Sequence, residues 1–182
     1  VPIAAKAPVS GRVKFYKLPQ TPNAMHLPSH ISTRLQYQHK NLVDIIDGLS
    51  EEQVRQQVVP GKWSIFQQIV HLQTYQHTFI GRVKETLKGH GPVFERYTAE
   101  ADLQFHENSA KSFREVMQDM ITTRKEMANE MLHFSEADFA KKGTHPLFGE
   151  LNLQQWINIF LLHEGHHLFS ILKLTGELKT KS

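Results

Sequence analysis

Two histidines four residues apart sit in the most apolar stretch of this chain, within the string His163-Glu164-Gly165-His166-His167, a literal H-E-x-x-H. Reading outward from them, Trp156, Phe160, His163, His167, Ile171 and Leu174 recur at steps of four, three, four, four and three, which is the period of an amphipathic helix. Both imidazoles therefore belong to the inward face, one above the other and about 5–6 Å apart at Cβ. Burying a neutral polar ring without a partner costs roughly 1–3 kcal/mol, so the pair needs partners. A lone histidine on an apolar face usually hydrogen-bonds a neighbouring helix. A pair at i and i+4 can instead reach one divalent ion, and the pattern points that way. His166 lies about 100° round the helix from His167 and is read as a surface or supporting group.

At 182 residues the chain suits one domain with a sizeable core. Its 21 Lys+Arg against 18 Asp+Glu form no basic block or aromatic-interleaved stripe, which argues against nucleic acid as a partner. The absence of cysteine removes disulfides, thiolate ligands and a cysteine nucleophile. No apolar run approaches the roughly 18–20 residues needed to span a bilayer, so no membrane partner is expected. The cytoplasm is the expected location, with a processed leader before Val1 left open.

The organisation is that of a helical bundle. Residues 1–28 carry Pro2, Pro8, Pro19, Pro22 and Pro28 and read as an extended N-terminal arm; residues 29–182 read as the bundle domain. A first helix is expected from Ser29 as N-cap, with the stripe Ile31, Leu35, Leu42, Ile45 and Leu49. Ser50 with Gln53 and Ser64 with Gln67 have capping-box spacing. The second long helix carries Ile65, Ile69, Leu72, Phe79, Val83 and Leu87, and Gly89-His-Gly91-Pro92 ends it. The polar segment Gly91 to Glu107 is long for a bundle connection and reads as a surface loop or as part of a pocket wall. A third helix carries Val116, Met120, Met127 and Met131, a methionine stripe that fills core. Ser135 opens another capped turn, and the loop Gly143 to Gly149 leads into a fourth helix expected to end by Gly176. With no convincing alternating strand, the fold class is all-α, a four-helix bundle.

Bundles of this kind build metal sites from inward side chains on facing helices, so the third ligand should come from another helix. His71, near the middle of the second long helix, is the candidate. Three imidazoles from His71, His163 and His167 describe a reactive Zn²⁺- or Ni²⁺-type centre rather than a sealed structural one. His26, His30, His39, His77, His90, His106 and His133 have mostly polar neighbours and read as surface groups.

The ordered set Gly61-Lys62-Trp63-Ser64 with His71 eight residues after the Trp, then Ser135-Glu-Ala-Asp-Phe139, His145-Pro146 and His163-Glu-Gly-His-His167, resembles the DinB/YfiT-like superfamily over roughly residues 28–176. The resemblance implies an up-down-down-up bundle, a homodimer, and a divalent ion held by His71, His163 and His167. It also implies a small-molecule substrate and either a low-molecular-weight-thiol S-transferase or a metal-dependent hydrolase.

Three functional readings follow. In the first, an ion lowers the pKa of a bound water or small thiol, with Glu164 or His145 handling protons. For Glu164 the plainer alternative is a solvated charge or ion pair; for His145 it is a turn residue bonding its own loop. In the second, H-E-x-x-H marks a zincin-type metalloprotease with Glu164 as general base, but only 15 residues follow His167 and Lys173 stands where a metzincin would have its third histidine. In the third, the ion pins helices in a non-enzymatic, metal-stabilised interaction module.

Overall fold

A computed structural model of the protein describes residues 27–181, with side chains to residue 180. Of the expected arm only Leu27 and Pro28 fall within the described residues; the rest, with His26, lies outside them. Eight α-helices are described: α1 (Ser29–Tyr37), α2 (Lys40–Ile46), α3 (Glu51–Arg55), α4 (Ile65–Leu87), α5 (Leu103–Ser109), α6 (Phe113–Leu132), α7 (Glu136–Ala140) and α8 (Leu153–Lys181). The bundle itself consists of the α1–α2 pair with α4, α6 and α8, in contact as α4 with α6 and α8, α2 with α8, and α1 with both α6 and α8.

Serine caps start the elements that the sequence marks. The hydroxyls of Ser50, Ser64 and Ser135 accept from the backbone N–H three residues on at 3.1–3.2 Å, each in a reciprocal capping box, satisfying helix-end donors that have no intrahelical partner. Ser112 does the same for α6. The first helix differs from expectation. Pro28, not Ser29, occupies the cap position, its carbonyl accepting from Ile31 and Ser32, and the expected single helix is broken at Gln38–His39 into α1 and α2.

Two further expectations are corrected. Helix α8 runs through Gly176 to Lys181, because Leu174 and Leu178 keep the apolar stripe buried and Gly176 has no left-handed φ. The loop before α8 is a small antiparallel hairpin, β1 (Lys142–His145) with β2 (Gly149–Asn152), paired from Lys142↔Asn152 to His145↔Gly149. Four-residue strands are too short to show alternation; the turn is made by Gly149 at φ 73°. The Gly91–Glu107 segment contains a 3₁₀ turn at Ala99–Ala101 and the start of α5. It is stitched to the hairpin where Phe94 N–H donates to the Thr144 carbonyl at 3.0 Å and Thr144 N–H to the Pro92 carbonyl at 2.8 Å.

The core is divided. One apolar cluster joins Leu35, Tyr75, Phe79, Met127, Met131, Trp156 and Phe160; the other joins Leu42, Ile65, Ile69, Val116, Met120, Leu168 and Ile171. Between the two, every long element turns polar: Gln38 and His39 at the α1–α2 break, His71, Gln73, Thr74 and Gln76 on α4, Thr123 and Arg124 on α6, and His163, Glu164 and His167 on α8. This polar waist is organised by Arg124, 1% exposed, and Glu164, 0% exposed. Arg124 donates to both Glu164 carboxylate oxygens and, through Nε, to Gln76 Oε1 at 2.8 Å. Gln38 Nε2 donates to Glu164 Oε2 and to the Leu161 carbonyl, both at 2.8 Å, and Arg34 Nε holds Gln38 Oε1 at 2.8 Å. His39, expected at the surface, is buried beside this network because the helix break turns it inward. Burial and the Arg124 charge push its pKa down to about 4.

Removing one partner of a buried ion pair strands the other charge. Arg124→Ala is expected to lower stability by about 3–5 kcal/mol in urea denaturation, whereas Arg124→Met combined with Glu164→Met should recover most of that loss. A single substitution costing no more than a surface ion pair would show that the waist does not depend on it.

Candidate metal centre

The helix spacing that aligned His163 with His167 also aligns His71 opposite them, since α4 and α8 pack together at the waist. The Nε2 atoms of His71 and His163 lie 3.0 Å apart and those of His167 and His163 3.1 Å apart. A ligand nitrogen from each of the three lies within 4.8 Å of the others, the one such cluster found among the described residues. Nitrogens bound at about 2.0–2.1 Å to one ion stand about 2.9 Å apart at right angles and about 3.3 Å apart in a tetrahedron, so the observed spacings match a shared ion.

Proton counting gives the same answer. His167 Nδ1 is 2.5 Å from Gln68 Oε1, which places its one neutral-state proton on Nδ1 and aims the Nε2 lone pair into the cluster. The Nδ1 atoms of His71 and His163 are buried with no hydrogen-bond partner. No distribution of single protons over three neutral rings makes more than one good hydrogen bond within the cluster, whereas a cation accepts all three lone pairs together. The donor set fits a divalent ion.

Burial keeps the rings neutral. It pushes the His71 pKa down to about 4; for His163, at about 3, and His167, at about 2, burial is the main cause and the neighbouring histidines add to it. Metal ligation needs neutral imidazole, so the site holds its histidines in the binding form. Aromatic rings fix their orientation: Trp63 packs on His71 with centroids 5.1 Å apart and stacks on His167 at 6.4 Å, while Tyr75 lies 4.4 Å from His163. Trp63, read in the sequence only as part of the Gly61–Ser64 motif, thus bridges the histidines of α4 and α8.

A cleft of about 510 Å³ reaches this cluster, with His71 and His163 in its lining. The far wall comes from the Gly91–Glu107 segment, through Arg96, Tyr97 and Glu100, and from the hairpin, through His145. The segment therefore forms the pocket wall that was one of its two expected roles. His145 takes the turn role expected of it and also lines the cleft. Its Nδ1 accepts from the backbone N–H of Leu147 at 3.0 Å and Phe148 at 3.2 Å, so its neutral-state proton sits on Nε2, and it lines the cleft. Burial, with Arg82 adding to it, holds its pKa below the ordinary value.

Glu164 stands apart from the cluster. Its oxygens are taken by Arg124 and Gln38, and it makes no hydrogen bond to the three imidazoles. A buried ion pair, rather than a solvated charge, is its setting. His166 is exposed, about 100° round α8 from His167, with the two rings 5.2 Å apart.

Comparison with known proteins agrees with this geometry. The chain belongs to the DinB superfamily, whose family model matches residues 34–171. It is 26% identical over 147 residues to the uncharacterized protein YuaE of Bacillus subtilis (strain 168), covering 74% of this chain and 90% of that protein. Among solved structures it is similar to YfiT from Bacillus subtilis, described as a probable metal-dependent hydrolase with an unusual four-helix bundle topology. That match has a TM-score of 0.69 at 17% identity and spans 89% of this chain and 93% of the other. The fold is thus the DinB/YfiT-type bundle, up-down-down-up, that the sequence resembles.

The acceptor on a ligand histidine's second nitrogen sets its tautomer and orientation, and losing it typically costs 10–100-fold in affinity. Gln68→Leu is expected to weaken Zn²⁺ binding by roughly that factor in a chelator-competition titration, with helix content unchanged. Wild-type affinity in this variant would show that Gln68 does not orient His167.

Proposed function

We propose that the protein is a metal-dependent enzyme acting on a small molecule, with His71, His163 and His167 as the ligands of a Zn²⁺ or Ni²⁺ ion. The reaction is either hydrolysis or transfer of a small thiol. The observation that carries this reading is the convergence of three neutral imidazoles at the end of a cleft. Three protein ligands are one fewer than the four of a sealed zinc site, and two of the three imidazoles line that cleft. When bound, the ion supplies Lewis acidity that makes a water or small thiol a nucleophile near neutral pH.

The chain's own residues prepare this chemistry. Gln68, Trp63 and Tyr75 hold the three rings in one orientation, so little side-chain freedom is left to lose when the ion binds. Tyr75 and Tyr97, with centroids 5.1 Å apart, form an aromatic wall that excludes water from one side. His145, with Nδ1 occupied by its own turn, offers the Nε2 proton to a leaving group in the cleft and is the favoured proton carrier. Glu164 serves in this reading as the buried brace behind the ligands. A zincin-type base would need its carboxylate free, so the protease reading is not favoured.

The homodimer of the family resemblance is part of this proposal. Leu162, Phe169 and Leu172, on one face of α8, are each half or more exposed, an apolar surface of the kind that marks interaction sites.

Zn²⁺- or Ni²⁺-loaded protein is expected to accelerate either conjugation of a small thiol to an electrophile or hydrolysis of an ester or amide. His71→Ala should abolish the rate, His145→Gln should lower it by about 10²-fold or more, and light scattering should give a dimer that Phe169→Lys dissociates. Stoichiometric metal without either activity would favour the metal-stabilised interaction module.

A further inference from the structure

The cleft contains a cation that the metal chemistry does not use. Arg82 follows His71 and Tyr75 on α4 at spacings of eleven and seven residues, which on a helix of 3.6 residues per turn returns it to nearly the same face. Its side chain is only 9% exposed yet lines the cleft. A buried charge is normally paired, and Arg82 has no ion pair to any carboxylate among the described residues. Its polar neighbours in the protein are uncharged: Nη2 donates to the Glu95 carbonyl at 2.7 Å, and the Tyr75 hydroxyl lies within reach of the guanidinium. The guanidinium is otherwise caged by rings, 5.5 Å from the Phe94 centroid, 5.8 Å from Trp156 and 6.0 Å from Tyr75. These rings hold it in place and strengthen its field by excluding water, but leave donors of its planar fork without a counter-charge.

Tyr75 is the link between the two centres, packed on His163 at 4.4 Å on one side and facing Arg82 on the other. The Tyr97 hydroxyl on the opposite wall is buried without a hydrogen bond of ordinary geometry; burial first and then the nearby Asp102 carboxylate push its pKa up, so it keeps its proton and can donate to the same ligand oxygen. A second, exposed guanidinium, Arg96, lines the cleft, against a single carboxylate there, Glu100. The residues lining the cleft are therefore net cationic, with Asp102 behind Tyr97 and the least solvated cation one aromatic ring away from the three histidines.

We propose that the substrate carries a carboxylate, bound by Arg82 and Tyr97, which places the reacting end of the molecule at the three-histidine centre. This rests on the enzymatic reading of the cleft given above. It assigns Arg82 a specificity role, since a bidentate guanidinium–carboxylate pair is a strong and geometrically selective contact.

The test uses short mercaptocarboxylates and mercapto-alcohols of matching chain length, whose thiol group can anchor on zinc. They are titrated calorimetrically into zinc-loaded and metal-free protein, as wild type, Arg82→Gln and Arg82→Lys. In the zinc-loaded wild type the best carboxylate ligand is expected to bind about tenfold or more tighter than its alcohol. That preference should vanish in Arg82→Gln and survive in part in Arg82→Lys. Equal affinities in the wild type would overturn the proposal, as would a preference that survives Arg82→Gln, because the carboxylate would then be on the metal. If Arg82→Gln loses helicity, the wild-type ratio and Arg82→Lys decide. A carboxylate preference that is the same with and without zinc, with no added affinity from the thiol, would overturn the metal reading while leaving the Arg82 assignment standing.

Discussion

The Arg124–Glu164 pair, sealed from solvent in the middle of the bundle, is the interaction on which the rest of this structure depends. Each charge alone would be expensive to bury, and the pair is tolerable only because the α1–α2 break and α4 each contribute a glutamine to complete its hydrogen bonds. All four bundle elements therefore meet at one level, and their register relative to one another is set by polar geometry that admits few alternatives, where apolar packing alone would tolerate sliding. The apolar cores above and below supply the driving force for collapse; the waist decides which collapsed arrangement is reached.

That register is what brings the histidines together. Glu164 and His163 are neighbours on α8, so fixing Glu164 against α6 turns His163 and His167 toward α4, where His71 and Gln68 meet them. The three imidazoles are thus a by-product of helix register, and their neutrality a by-product of burial. Outside the waist, the hairpin and the Gly91–Glu107 segment are joined to each other through Thr144 and build the wall that turns a buried cluster into the end of a cleft. The proposed roles divide by location: the three histidines stand on helices, while His145, Tyr97 and Arg96 come from the connecting segments, where binding residues are commonly carried on a rigid scaffold.

Much of this was legible in the sequence because it is periodic. The α8 stripe gives the inward direction of His163 and His167, the serine caps give the starts of α3, α4 and α7, and the heptad-like methionines of α6 give its buried face. What escaped is non-periodic. The break at Gln38–His39 carries neither glycine nor proline, and it exists because tertiary hydrogen bonds at the waist outweigh local helix preference. Glu164 looks like a surface charge until its partner Arg124, 40 residues away in sequence, is known. Arg82 could have been suspected from its helical alignment with His71 and Tyr75, but its lack of a carboxylate partner is a property of the assembled cleft. Strands of four residues leave no pattern to read.

The most direct test of this account is to crystallise the protein with Zn²⁺ and locate the ion by anomalous scattering at the zinc edge. The account predicts one dominant site with His71, His163 and His167 Nε2 each about 2.0–2.1 Å away and Gln68 still on His167 Nδ1. Zinc bound only at surface histidines, with the three imidazoles unmoved and unligated, would contradict it and leave the cluster as a purely structural feature of the waist.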